Sequence, residues 1–242
     1  LADPARGADA KRDQYRHPAE TFEFFRLHPD HVIGEYAPGG AWVSRILGRY
    51  VNEKGKYTGL YFGTKSHFSD QQKAGIAANI AKFPADVAAV SGRPATDFNA
   101  FSLSEVPEGA KGSFDRIIVM RMLHNMMNWN IADSEIKAMR DLLKDDGLLG
   151  IEQHRAKADA PFSYSNGTKG YMREADIIKF MEVNGFELVA KSEINANPKD
   201  SANWPDGVWT LPPALRLKDV DRAKYEAIGE TDRMTLLFKK RP

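Results

Sequence analysis

The chain has 242 residues, no cysteine and a formal net charge of +1, with 42% hydrophobic and 28% charged residues. A chain of this size and composition can bury a substantial core. It excludes disulfides, thiolate metal sites and a cysteine nucleophile, and the near-neutral charge without a basic run argues against nucleic-acid binding through a broad electrostatic footprint. No apolar stretch approaches the roughly 18 residues that mark a membrane span.

The first dozen residues, rich in Ala, Asp, Lys and Arg, read as a mobile lead-in, and residues 1–17 as such a lead-in or an N-terminal cap. A chain beginning at Leu1 reads as processed; a cleaved export signal gives a periplasmic protein, with the cytoplasm as the alternative. Residues 18–27 follow as a helix with Pro18 in its first turn. A strand at about 32–36 and a helix at about 41–51 are joined by Pro38-Gly39-Gly40. A second strand spans 57–61 and a helix 69–83, with Ile76, Ile80 and Phe83 on one face. The segment 86–112 resists reading, although a short third strand fits inside it. Phe114–Met120 is a continuous apolar run, as in a strand buried on both faces of a parallel sheet. A helix at about 133–143 ends at Asp145-Asp146-Gly147, read as a stop signal. Then come a strand at 148–152, a helix at 174–184 closed by Asn184-Gly185, a strand at 186–194, and a last strand at 233–238.

Alternating strands and helices predict a single α/β domain over 1–242, a Rossmann-like doubly wound sheet of about seven strands with helices on both faces. No clear helix separates the last two strands, so the last strand is expected to be antiparallel. Residues 195–231 form a lid-like insertion carrying Trp204 and Trp209. Ligands in such sheets bind beyond the carboxyl ends of the strands, where the strand order reverses. That places the Glu35–Trp42 turn at the pocket. Glu35 there can accept hydrogen bonds from ligand hydroxyls or an ammonium, and the glycines bring backbone N–H groups close.

These segments carry a resemblance: Glu35 with Pro38-Gly39-Gly40-Ala41-Trp42; Phe114-Asp-Arg-Ile-Ile with Arg121-Met-Leu-His124-Asn125; Leu142 to Arg155; Gly185-Phe186-Glu-Leu-Val; Asn197-Pro198; and Thr231-Asp-Arg-Met. From about residue 12 onward the chain resembles the class I S-adenosylmethionine-dependent methyltransferases, most of all a bacterial branch of exported ones. The resemblance implies S-adenosylmethionine as cofactor, S-adenosylhomocysteine as product and a small-molecule acceptor. It implies cofactor contacts from Glu35, Pro38, Gly39, Gly40, Trp42, Tyr61, Asn99, Arg121 and Asn125. The sequence departs from the family pattern at Ala37 and Ala41, which stand at two of the three usual glycine positions. It departs again at Tyr61, where the second strand usually ends in an acid that binds both ribose hydroxyls.

Methyl transfer from a sulfonium is an in-line displacement that needs orientation first and a base near the acceptor proton second. His124, just past a buried strand, reads as that base or as a histidine packed beneath the next helix. His154 and Glu152, after the fifth strand, are further catalytic candidates, and Glu152 reads equally as the polar end of a strand. Arg155 reads as a clamp on a substrate carboxylate or as a structural ion pair. Tyr15 and His17 reach substrate or belong to a solvated segment; Trp204 and Trp209 enclose substrate or anchor their loop. No metal-ligand spacing, P-loop or nucleophile elbow is present. Beside methyl transfer stand two other readings, a binding protein without catalysis and an enzyme that uses the same pocket without methylating. The acceptor and the oligomeric state, a homodimer included, stay open.

Overall fold

Each apolar run becomes a strand: β1 (Val32–Tyr36), β2 (Lys56–Tyr61), β3 (Phe98–Ser102), β4 (Phe114–Met120), β5 (Leu143–His154), β6 (Phe186–Ser192) and β7 (Arg233–Lys240). In the computed structural model, which describes residues 4–65 and 67–242, they form one sheet in the order β3-β2-β1-β4-β5-β7-β6. β1 to β5 pair in parallel, and β7 runs antiparallel to both β5 and β6. The strand order reverses between β1 and β4, so the expected crevice lies above their carboxyl ends.

The helices are α1 (Asp13–Arg16), α2 (Pro18–Phe24), α3 (Ser44–Tyr50), α4 (Asp70–Ser91), α5 (Leu123–Asn128), α6 (Ala132–Leu142), α7 (Phe162–Ser165), α8 (Glu174–Val183) and α9 (Arg222–Ile228). Neighbouring strand residues point to opposite faces, and β1 shows what covers each. Glu35 turns toward Tyr57 and the Ser44 hydroxyl at the start of α3, while Tyr36 donates to Glu135 of α6 at 3.1 Å. Helices α3 and α4 therefore cover one face and α6 the other. Two close approaches set the packing: a Cβ on Gly34 would lie 2.7 Å from Leu60, and one on Gly150 only 2.6 Å from the ring of Phe25.

The structure departs from the sequence reading in several elements. Helix α4 runs on past Pro84 to Ser91. Proline removes one helical hydrogen bond, but the capping box of Ser69 and Gln72 starts the helix firmly. Val87 then seats against Gly48 of α3, where a Cβ would stand 2.8 Å away. Asp145-Asp146-Gly147 is no helix stop; the residues bulge from β5, and Gly147 is required because a Cβ would meet the Phe114 carbonyl at 2.9 Å. Between β4 and α6 lies the short helix α5, unpredicted because six residues show no helical period. A helix also separates the last two strands, the seven-residue α9.

Residues 1–3 of the N-terminal lead-in lie outside the described residues; from Pro4 onward the segment is seated on the domain. Asp9 accepts from Arg45 at 2.5 Å, and its carbonyl accepts the Trp42 indole N–H at 3.4 Å. Among the described residues no helix is long and apolar enough to cross a membrane.

Candidate active site

The loop after β1 keeps a glycine-type backbone through residues that are not all glycine. Ala37 (φ 51°), Gly40 (φ 61°) and Ala41 (φ 56°) all occupy the left-handed region. For an L residue that conformation costs about 1–2 kcal/mol, a cost that persists where the surroundings over-determine the turn. Ala37 is fixed by its N–H, which donates to the Leu60 carbonyl of β2 at 2.7 Å. A Cβ on Gly40 would meet nothing within 4 Å, and one on Gly39 only the Ala37 carbonyl at 3.8 Å. The loop is thus strained by its own turn and open on its outer side.

Relief of that strain should be measurable. Ala37→Gly and Ala41→Gly each remove about 1–2 kcal/mol of backbone strain and lose about 0.4–1 kcal/mol to added freedom of the unfolded chain. Each variant is expected to melt slightly above the wild type; a lowered Tm would count against strain in this loop.

Beneath the loop, Glu35 is buried and accepts the Tyr57 hydroxyl, which also contacts the Ser44 hydroxyl at 3.0 Å. Burial pushes the Glu35 carboxyl up to about 7, against the opposing pull of the Tyr57 hydrogen bond and the Arg121 charge. One side of the carboxyl is therefore spent on the protein, a partner that sequence reasoning missed because β1 and β2 must pair before it exists. Tyr61 at the end of β2 is buried edge-on against Phe83, its hydroxyl pushed upward by burial and by the Glu35 and Asp86 charges. Tyr61, Pro38, Gly39 and Gly40 share a cleft of about 210 Å³ with Asn79 and Asp86 of α4.

Trp42 lies under the N-terminal segment, 4% exposed, with the Arg16 guanidinium 5.1 Å above its ring. Asn99 stands apart from these residues. It is the second residue of edge strand β3, exposed and paired in register with Thr58, three positions short of the strand's carboxyl end.

On the far side of the crevice, Arg121 (φ 59°) turns out of β4 and binds Glu152 at 2.5 Å. Glu152 is wholly buried and stands 3.0 Å from Arg233, which pairs with Glu230 at 2.8 Å. Glu230 in turn takes Arg16 at 2.8 Å and Arg12 at 3.0 Å. A ladder of charges thus runs from the end of β4 to the N-terminal segment. Glu152 is a rung of it and is not free to move a substrate proton.

His124 of α5 and His154 of β5 come together with ring centroids 5.6 Å apart. His124 contacts the Gln153 amide nitrogen at 3.2 Å through Nδ1, and the Gln153 amide donates onward to the Gly170 carbonyl at 2.8 Å. His154 Nδ1 meets the Thr231 hydroxyl at 2.6 Å. Burial lowers His124 to about 4, with Arg121 adding to the drop. His154 is driven well below its usual value by burial, then by His124, Arg233 and Arg121. Both imidazoles are neutral at physiological pH and serve better as hydrogen-bonding walls than as strong bases. Asn125, one residue on, turns its amide to the Met122 sulfur at 3.4 Å.

The structure separates the two tryptophans of the 195–231 segment. Trp204 anchors it: its indole N–H donates to Asp200 at 2.7 Å and its ring packs on Tyr225. Trp209 stands 6.0 Å from the His124 ring and carries the Arg216 guanidinium over its own ring at 4.6 Å. Arg155 is engaged within the protein. Its guanidinium is spent on Asp232 at 3.0 Å and on Glu193 at 2.6 and 2.8 Å, which raises its pKa. Tyr15 and His17 line a separate hollow of about 170 Å³ with Glu230, Thr231 and Arg233, joined to His154 through Thr231. Among the described residues no group of three or more His, Asp or Glu side chains could hold a metal ion.

No family model and no curated protein matches the chain. Solved structures do. Over 93% of its length it superposes on 81% of the [4+2]-cyclase SpnF, with a TM-score of 0.58 and 17% identity. It superposes over 98% of both chains on a SAM-dependent methyltransferase from Aquifex aeolicus, with a TM-score of 0.56 and 12% identity. The MccD protein matches at a TM-score of 0.56 and 9% identity, with 92% of this chain and 95% of that one covered. The chain has a class I methyltransferase fold. In this fold the strained loop, the cleft of Tyr61 and Asp86 and the Arg121–His124 turn all gather at the carboxyl ends of β1, β2 and β4. A cyclase among the similar structures shows that the methyltransferase fold does not by itself set the reaction.

Proposed function

We propose that the protein binds S-adenosylmethionine and transfers its methyl group to a small-molecule acceptor. The observation that supports this most is the loop Ala37–Ala41. It holds three left-handed residues, two of them alanine, and is exposed at Gly39 and Gly40, where a Cβ would meet almost nothing. Strain kept at an open loop beside the strand-order reversal fits a turn shaped for a ligand.

In this reading the loop and Glu35 take the methionine end of the cofactor, and Arg121 and Asn125 flank the sulfonium. The bound cofactor supplies an electrophilic methyl group; the chain's own residues orient and desolvate the acceptor. Displacement in line needs the two partners held at contact, and alignment of this kind supplies several kcal/mol of rate, about 7 or more in good cases. The neutral His124 and His154 with Trp209 form the acceptor side. Because neither histidine is a strong base, acceptors that are already nucleophilic suit this wall best. The second reading, a non-methylating enzyme in the same pocket, draws on the absorption of Glu152 and Arg155 into ion pairs.

Calorimetry with S-adenosylmethionine and S-adenosylhomocysteine tests the first step, and failure of both to bind would overturn the methyltransferase reading. Gly39→Val is the informative variant. Space at Gly39 is open within the protein and its φ lies outside the left-handed region, so the fold should survive. A branched side chain there fills the space assigned to the ligand, and binding is expected to fall below detection, with Tm within a few degrees of wild type. Retained binding would move the ligand off this loop. Consumption of S-adenosylmethionine with candidate acceptors then separates methyl transfer from the second reading.

A further inference from the structure

The end of β2 presents a phenol, not a carboxylate. A tyrosine hydroxyl offers one hydrogen to donate and cannot take two hydroxyl donors in parallel as a carboxylate does. Glu35, the neighbouring acid, has its carboxyl buried under the loop and bound by Tyr57. The cleft beside the glycine loop nevertheless has an acid in its wall, and it comes from a helix. Asn79, Phe83 and Asp86 stand at positions i, i+4 and i+7 of α4 and so share one face. Phe83 is the buried floor, edge-on to Tyr61 with centroids 6.3 Å apart. Asn79 and Asp86 flank it, and all three line the cleft with Pro38, Gly39 and Tyr61. Neither Asn79 nor Asp86 has a hydrogen-bond or ion-pair partner among the described residues.

At about 210 Å³ the cleft is smaller than the roughly 300 Å³ at which pockets take a whole drug-sized ligand. It suits one polar ring of a larger molecule whose remainder extends over the loop. Its polar side chains, from Asp86, Asn79, Tyr61 and Ser44, are a carboxylate, a carboxamide, a phenol and a hydroxyl around an aromatic floor, which fits a neutral diol better than an anion or an apolar group.

We propose that Asp86, with Asn79 beside it, supplies from α4 the hydroxyl-binding carboxylate that the end of β2 lacks, and holds the ribose diol of the cofactor. This rests on the cofactor reading above. Asp86 accepts from the two ribose hydroxyls, Asn79 bridges to one of them, and Phe83 and Tyr61 pack against the sugar. Extension of α4 past Pro84 brings Asp86 to this place, because a helix ending at Phe83 would stop short of it.

The test is calorimetry on the full chain with S-adenosylhomocysteine and with its 2′-deoxyribose analogue. Asp86→Ala places the best helix former at an exposed helical position, so the fold is retained. Loss of hydrogen bonds to a charged acceptor is expected to weaken S-adenosylhomocysteine about 10- to 100-fold. Wild type should prefer the full ribose over the deoxy analogue, and Asp86→Ala should lose that preference, as a coupled pair does in a double-mutant cycle. Unchanged affinity in Asp86→Ala, or an undiminished preference for the 2′-hydroxyl, overturns this assignment and leaves the cofactor reading standing. Failure of the wild type to bind S-adenosylhomocysteine at all overturns both.

Discussion

Glu152→Ala is expected to destabilise the protein by about 3–5 kcal/mol, the cost of leaving buried charges without their partner. Glu152 is fully buried and faces two guanidiniums, Arg121 at 2.5 Å and Arg233 at 3.0 Å. Its contact with Arg233 is one of charge and not of alignment: Glu152 Oε1 and Arg233 Nε make no hydrogen bond, although both are buried. Removing the carboxylate leaves Arg233 with the Tyr15 carbonyl and with Glu230, which already serves Arg12 and Arg16. Chemical denaturation of wild type, Glu152→Ala and Glu152→Gln resolves the cause. Gln keeps the shape but not the charge, so it should recover little of the loss. If Glu152→Ala costs less than about 1 kcal/mol, a value normal for exposed pairs, water reaches the ladder and the buried-charge account fails. Because Glu230 also holds the N-terminal segment, the same variant should loosen Trp42, read as greater quenching of its fluorescence.

The sheet was legible because its strands carry their own evidence. Phe114–Met120 is apolar throughout, as a strand covered on both faces must be, and Pro38-Gly39-Gly40 marks the turn above β1. What stayed hidden depends on tertiary contact. Helix α4 outruns its proline because Val87 finds Gly48, and no local signal carries that. The site divides in the same way. Gly39, Gly40 and Arg121 lie where strand order put them. Arg155 sits at the ligand edge of β5 as expected, yet its partners Glu193 and Asp232 are 38 and 77 residues away, so its engagement was unreadable. Asp86 carries no local signal, because it reaches the cleft only when α4 packs beside β2. Asn99 lies apart from the cleft for a related reason, as a polar residue in a short edge strand whose register only pairing with β2 fixes.

Glu35 should give the protein a stability that falls with pH. In the unfolded chain its carboxyl titrates at the ordinary 4.5, and in the folded chain burial holds it near 7. The folded state keeps this proton the more tightly. The stability it contributes is therefore complete below pH 4.5 and is lost as pH rises through 7. The gap from 4.5 to about 7 corresponds to about 3 kcal/mol. Glu35→Gln has no such proton to lose and still accepts from Tyr57. At pH 9 it is expected to exceed wild type by about 2–3 kcal/mol, and below pH 5 to match it or fall slightly short. Denaturation curves from pH 5 to 9 decide the matter, and parallel curves for the two proteins would sink it. Ligand binding should run the other way. A carboxylate that receives the cofactor's ammonium or a hydroxyl works best ionised, so affinity of the wild type should rise through pH 7 while Glu35→Gln binds weakly and without that slope. Opposed slopes for folding and for binding would mean that the chain keeps, under its strained loop, a buried acid whose ionisation costs stability until a ligand compensates it. Stabilising substitutions at Glu35 would then be those that cost the protein its ligand.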